Sequence, residues 1–202
     1  LAAWGPNWRW LDIPSPPPAV VDGGVATAVS LAVDRDAGQR VALRQRIRKT
    51  GPQTLVLEYE LATDRDLPLT ALAATIGFEP PFQTGHASFH RADAVVTTVP
   101  LSLSGPAELP AIRGVAFHPQ PLPEIVATFQ PALPVSYHNG LRLLLASGEL
   151  KAGTTRVEMT LSFPDPIDLL ATAADLAPLA KEVAGPDWFP VPPADPPAPS
   201  II

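Results

Sequence analysis

The sequence contains no cysteine. Disulfide staples, thiolate zinc sites and a cysteine nucleophile are thereby excluded together. No apolar run reaches the roughly 18 residues that a membrane-spanning helix needs, so no membrane partner is expected. The start, Leu1-Ala2-Ala3-Trp4-Gly5, lacks the basic segment and apolar block of a signal peptide. Because Leu1 is not an initiator methionine, the chain reads as a mature or excised form. There is no glycine-rich phosphate loop and no Gly-x-Ser-x-Gly nucleophile elbow. Basic residues number 14 against 20 acidic ones, a formal net charge of −6. A general nucleic-acid binder needs a clustered basic footprint, so no nucleic-acid partner is expected either.

What is present is apolar and rich in proline. Hydrophobic residues make up 46% of the chain and charged ones only 17%, which places it among globular proteins and not disordered ones. A length of 202 residues suits one β-sandwich or barrel with appendages and a sizeable core. The 27 prolines gather at the ends and in loops, where a fixed φ and a missing N–H do least harm.

The most telling stretch is Val41 to Leu61, two strict alternations about Gly51-Pro52. Val41, Leu43, Gln45 and Ile47 point one way, and Arg44, Arg46 and Arg48 the other. Beyond the turn, Leu55, Leu57, Tyr59 and Leu61 share a face opposite Val56, Glu58 and Glu60. Period-two alternation around a Gly/Pro turn predicts an antiparallel hairpin with one face on a core and one in water. A turn centred near Pro52 sets Arg46 against Glu58, Arg44 against Glu60 and Leu43 against Leu61.

From 25 to 163 the chain reads as short strands at roughly ten-residue spacing, the signature of an all-β antiparallel β-sandwich, jelly-roll-like. Val25 to Val33 has small or apolar residues on both faces, as a central strand would. Leu69 to Phe78, Ala94 to Leu103, Ile125 to Phe129 and Val135 to Leu145 are further strands. Thr155 to Phe163 turns Val157, Met159, Leu161 and Phe163 inward and Arg156 and Glu158 outward. Segments 79–91 and 105–134 read as loops. Four regions follow: a Pro/Trp-rich N-terminal segment (1–24), the sandwich (25–163), a helical appendage (164–190) and a Pro-rich linker (191–202). The appendage shows Leu169, Leu170, Ala173, Leu176, Leu179 and Val183 at helical spacing behind Asp168, so one C-terminal helix is predicted. The linker is polyproline-like and implies a following domain.

Three groups of residues are candidates for chemistry. Glu58 and Glu60 are spaced like the two carboxyls of an inverting glycosidase. An arginine opposite each, however, suits a fixed cross-strand ladder, worth about 0.2–1 kcal/mol per pair, better than a general acid. His86, His90, His118 and His138 are the only imidazoles. On a strand His86 and His90 share a face about 13 Å apart, too far to share a metal, so neither a metal nor another cofactor is expected. Trp4, Trp8 and Trp10 lie within seven residues, with Trp188-Phe189 near the other end. If Trp8-Arg9-Trp10 is extended, both indoles share a face about 7 Å apart, enough to span neighbouring sugar rings. Such rings also close the ends of sandwiches. Tyr137 and Asn139, in the polar turn Tyr137-His138-Asn139-Gly140, are candidate loop contacts to the same ligand.

The run Leu150 to Met159 resembles the closing hairpin of galactose-binding-like jelly rolls. The cadence of Gln39 to Leu61 is similar to their opening strands. This resemblance implies an accessory module beside the catalytic barrel of a bacterial glycoside hydrolase, with that barrel following Ile202. It carries no ligand residue over. The expected function is a non-catalytic carbohydrate-binding or accessory domain whose partner is a polysaccharide or oligosaccharide, in an extracellular or periplasmic setting. The alternatives are a structural or assembly subunit docking through its Pro-rich ends, and a β-sandwich glycoside hydrolase or lyase using Glu58 or Glu60.

Overall fold

The computed structural model describes residues 1–21, 24–34, 38–77, 84–102, 107–137 and 140–166. The predicted helix and the Pro-rich linker fall outside them, apart from 164–166. The described part is all-β, a curled antiparallel sheet that forms a half-barrel, in keeping with the sandwich class.

The opening hairpin sets the register. Strands β5 (Gln39–Gly51) and β6 (Thr54–Thr63) meet around Pro52 and Gln53. Leu43 lies opposite Leu61, Arg44 opposite Glu60 and Arg46 opposite Glu58, as the alternation predicts. Strand β13 (Gly153–Ser162) runs along the other flank of β6, with Val157 against Tyr59 and Met159 against Leu57. Leu57, Leu61, Val157 and Met159 are buried, and Leu161 is half-buried against the same core.

The remaining strands extend the sheet in both directions. Strand β4 (Gly24–Asp34) pairs with β5. Contrary to the sequence reading, it is not central. Among the described strands, its other flank is laddered only at Gly24–Ala26, by β3 (Ala19–Val21). Its small outer residues Ala28 and Ser30 are exposed; the pattern taken for double burial is an open edge. On the far side, β7 (Leu67–Gly77) pairs with β12 (Gly140–Leu150), and β1 (Ala2–Trp4) joins β7. Strand β2 (Trp10–Leu11) pairs with β1. The N-terminal lead is therefore built into the sheet, and Ala3 and Leu11 belong to its core.

Two segments read as loops contain strands. Strand β8 (Gly85–Arg91) sends Ala87 and Phe89 inward and pairs with β9 (Val96–Pro100) and β10 (Ala107–Pro119). Strand β10 hid from the alternation because its inward residues, Leu109, Ile112, Val115 and Phe117, are unevenly spaced. Its register shifts between Leu109 and Ile112 and again before Gly114, with Ala111 at φ 53°, and each extra residue of a bulge moves the inward face by one.

Strand β11 (Ile125–Tyr137) divides its partners. Its first half pairs with β13, from Val126 opposite Ser162 to Gln130 opposite Glu158. Its last residues pair with β12, from Val135 opposite Leu143 to Tyr137 opposite Leu141. Pro131 and Pro134 sit in the crossover, where a missing N–H removes no ladder bond to either flank. Beyond Glu158, the β13 residues Gly153–Val157 pair with β6 alone.

At the opposite corner, Asp66 accepts the Ala152 N–H at 2.8 Å and the Lys151 ammonium at 2.9 Å. The first of these bonds, helped by the second, holds its carboxyl below the usual carboxylate range. The link between β6 and β7 is thus pinned to the link between β12 and β13.

Leu61 is 1% exposed, so Leu61→Ala should cost roughly 2–5 kcal/mol in urea unfolding. A loss below about 0.5 kcal/mol would place Leu61 on a surface. The two tyrosines offer an independent check. Burial pushes the Tyr59 phenol up to about 12, the bond from Gln45 offsetting part of the effect, and burial alone takes Tyr137 to about 12. The Tyr137 hydroxyl donates to the Leu101 carbonyl at 2.9 Å. Phenols raised in the folded state stabilise it fully below pH ~10 and lose that contribution as pH rises through ~12. Native protein should therefore show no tyrosinate absorbance at pH ~10.5, whereas the unfolded chain titrates near 10.

Candidate functional site

The three N-terminal tryptophans form one cluster. Trp4 lies opposite Trp10 across β1 and β2, with ring centroids 5.4 Å apart at 80°. Trp8 meets Trp4 edge-on at 6.1 Å and 68°. The Arg142 guanidinium stands 5.0 Å over the Trp4 ring, so Trp4 is gripped from behind while the other two face water. Trp8 is 66% exposed and Trp10 57%. Edge-to-face pairs of this kind contribute about 0.5–1.5 kcal/mol beyond area burial.

The segment that presents Trp8 is not the extended strand expected for Trp8-Arg9-Trp10. Pro6–Trp8 is a short 3-10 turn in which Asn7 and Trp8 have φ of 58° and 59°. A left-handed backbone is uncommon for a residue as bulky as tryptophan and needs outside support. That support is visible. The Gly5 N–H donates to the Arg9 carbonyl at 2.8 Å, and the Thr70 hydroxyl donates to the Gly5 carbonyl at 2.7 Å. The Arg9 guanidinium donates to the Val33 carbonyl, tying the turn to β4. Both indoles consequently stand roughly perpendicular to Trp4, and no strand of alternating faces carries them.

A second feature lies on the outer face of β5, β6, β13 and β11. Registers align Arg46, Glu58, Glu158 and Gln130 in one row across four strands, and Arg44, Glu60 and Arg156 in the next. A groove of about 510 Å³ opens there, beside the point where β11 leaves β13. Glu58 is bound by Arg48 at 3.2 Å and touched by Arg46 at 4.0 Å. Glu60 accepts from Arg156 Nε at 2.9 Å, and Glu158 lies 4.0 Å from Arg48. The expected ladder is thus present in part: Arg48 reaches Glu58 diagonally, and Glu60 bonds to Arg156 opposite it on β13 and not to Arg44 opposite it on β5. Among the described residues Arg44 has no ion-pair or hydrogen-bond partner. Sequence reasoning identified the outward turn of Arg156 and Glu158 but not Gln130 or the groove, because the pairing of β11 with β13 has no local signal.

His86 and His90 do share the outer face of β8, as a strand requires. His86 stacks on His118 of β10 at 4.5 Å and 26°, and His118 Nδ1 lies 3.1 Å from Glu124. Gly85, at φ 118°, lets the strands approach this closely: a Cβ there would overlap the His118 carbonyl oxygen. No cluster of three or more metal-ligating side chains occurs among the described residues. Tyr137 is fully buried, which removes it from the accessible surface. Asn139 and His138, like Trp188-Phe189, lie outside the described residues. Comparison with protein families and with curated proteins finds no match for this chain.

Glu58 and its partners are about one-third exposed, where ion pairs contribute only about 0–1 kcal/mol. Glu58→Gln should accordingly shift the urea midpoint by less than that equivalent. A loss of several kcal/mol would mean that Glu58 is a buried structural anchor.

Proposed function

We propose that this chain is a non-catalytic carbohydrate-binding accessory domain that stacks glycan on Trp8 and Trp10. The observation that carries the reading is the exposure of two indoles by more than half on a turn whose left-handed Trp8 is held by three supporting bonds. Large exposed aromatic surface marks binding sites, and a strained residue kept in place by its surroundings points the same way. Trp4 orients the pair from behind, so little side-chain entropy remains to be lost on binding. The galactose-binding-like resemblance and the proposed neighbouring glycoside hydrolase fit this role, as does an extracellular or periplasmic setting. An arginine-engaged Glu58 and Glu60 favour binding over hydrolysis.

The test is titration of soluble polysaccharides against the wild type and a Trp8→Ala, Trp10→Ala double variant, with folding verified by thermal melt. Loss of about 1–3 kcal/mol per indole is expected, the range of well-packed aromatic contacts. Equal affinity of the two proteins would overturn the assignment. If no polysaccharide binds and light scattering shows tryptophan-dependent self-association, the assembly reading replaces it.

A further inference from the structure

The groove on the outer face is open and lined mainly by charged residues. Arg44, Arg46 and Arg156 line it with Glu58, Glu60 and Glu158, and Arg48, beside the lining, engages Glu58 at 3.2 Å and lies 4.0 Å from Glu158. With Arg48 counted, the local balance is positive by one in a chain whose net charge is −6. Arg44 is the cation left over: Arg156 has taken Glu60, and Arg44 is exposed without a partner among the described residues. The Gln130 amide across the groove is also exposed and without a hydrogen-bond partner among them. A cavity of about 510 Å³ is within the size range of small-ligand sites.

We propose that this groove binds a uronic acid, with Arg44 gripping the sugar carboxylate, the Gln130 amide donating to or accepting from its hydroxyls, and the glutamates accepting from them. A guanidinium fork matches a carboxylate in two parallel bonds. The three carboxylates act as selectors. They repel a doubly charged phosphate monoester, yet they offer acceptors to sugar hydroxyls while one ligand carboxylate neutralises the spare charge. The inference extends the carbohydrate reading to a second surface, and it rests on that reading for the class of ligand but not for the site.

The experiment titrates the full chain by calorimetry with four probes: free glucuronate, a trisaccharide carrying one terminal glucuronate, the corresponding neutral trisaccharide and acetate. The proteins are the wild type, Arg44→Gln, Gln130→Ala and the Trp8→Ala, Trp10→Ala double variant. Saturable binding of the trisaccharide carrying one glucuronate is expected, weakened about tenfold or more in Arg44→Gln, the value of one charge-assisted fork, and less in Gln130→Ala. The tryptophan variant should bind as the wild type does. Binding of glucuronate alone as tightly as the trisaccharide would assign the site to the free sugar acid. Equal binding by the wild type and Arg44→Gln, or acetate binding as tightly as either sugar acid, would overturn the proposal. Loss in the tryptophan variant alone would overturn it too, leaving the Trp8 and Trp10 site standing. Retention of Arg44-dependent binding with no tryptophan effect on any polysaccharide would do the reverse.

Discussion

Strand β6 is laddered on both flanks, to β5 and to β13, and that double pairing constrains everything around it. A slip of one residue on either side would turn Leu57, Tyr59 and Leu61 to water and carry Glu58 and Glu60 into the core. Burying those carboxylates without partners would cost several kcal/mol each, so the alternation admits one register. The same register aligns Arg46, Glu58 and Glu158 on the outer surface. Core and charged face are therefore two consequences of one pairing, and neither can be altered without moving the other.

The second constraint is the divided pairing of β11. A strand that begins beside β13 and ends beside β12 must leave an opening where it crosses, and Pro131 and Pro134 occupy that crossover. Proline there removes donors that would otherwise seek a partner on β13. The groove is thus a topological product, whereas its chemistry comes from residues whose directions the β6 register has already set. At the other end of the same ribbon, Asp66 joins the two corner links and keeps β6–β7 and β12–β13 bending together.

Legibility in the sequence followed the strictness of local alternation. Strands β5, β6 and β13 keep the two-residue alternation over most of their length, and their facing pairs were readable, although Val56, in the row of Glu58 and Glu60, is buried. Strand β8 was not, because only Ala87 and Phe89 mark its inner face between histidines and a serine. Strand β10 was lost to bulges that break the period, and β4 was misplaced because alanine suits a buried face and an open edge equally well. In the binding region, Trp8 and Trp10 were readable as a cluster. Their geometry was not, since a left-handed turn at Trp8 depends on Thr70 and Val33, which are remote in sequence. The groove required the pairing of β11 with β13, which no local pattern encodes.

The proposed groove depends on the sheet being open where β11 departs and closed just before. The absence of cysteine makes that directly measurable by cross-linking. Opposite residues of an antiparallel pair have Cα atoms about 4.5–5.5 Å apart, within the roughly 4.4–6.8 Å that a disulfide spans. The double variant Gln130→Cys, Glu158→Cys, at the last paired position, should oxidise fully to an intramolecular disulfide. Ala132→Cys, Arg156→Cys, two residues further along, should remain reduced under the same conditions. Equal oxidation of both variants would mean that β11 stays on β13, with no groove beside Arg44, and would contradict the account.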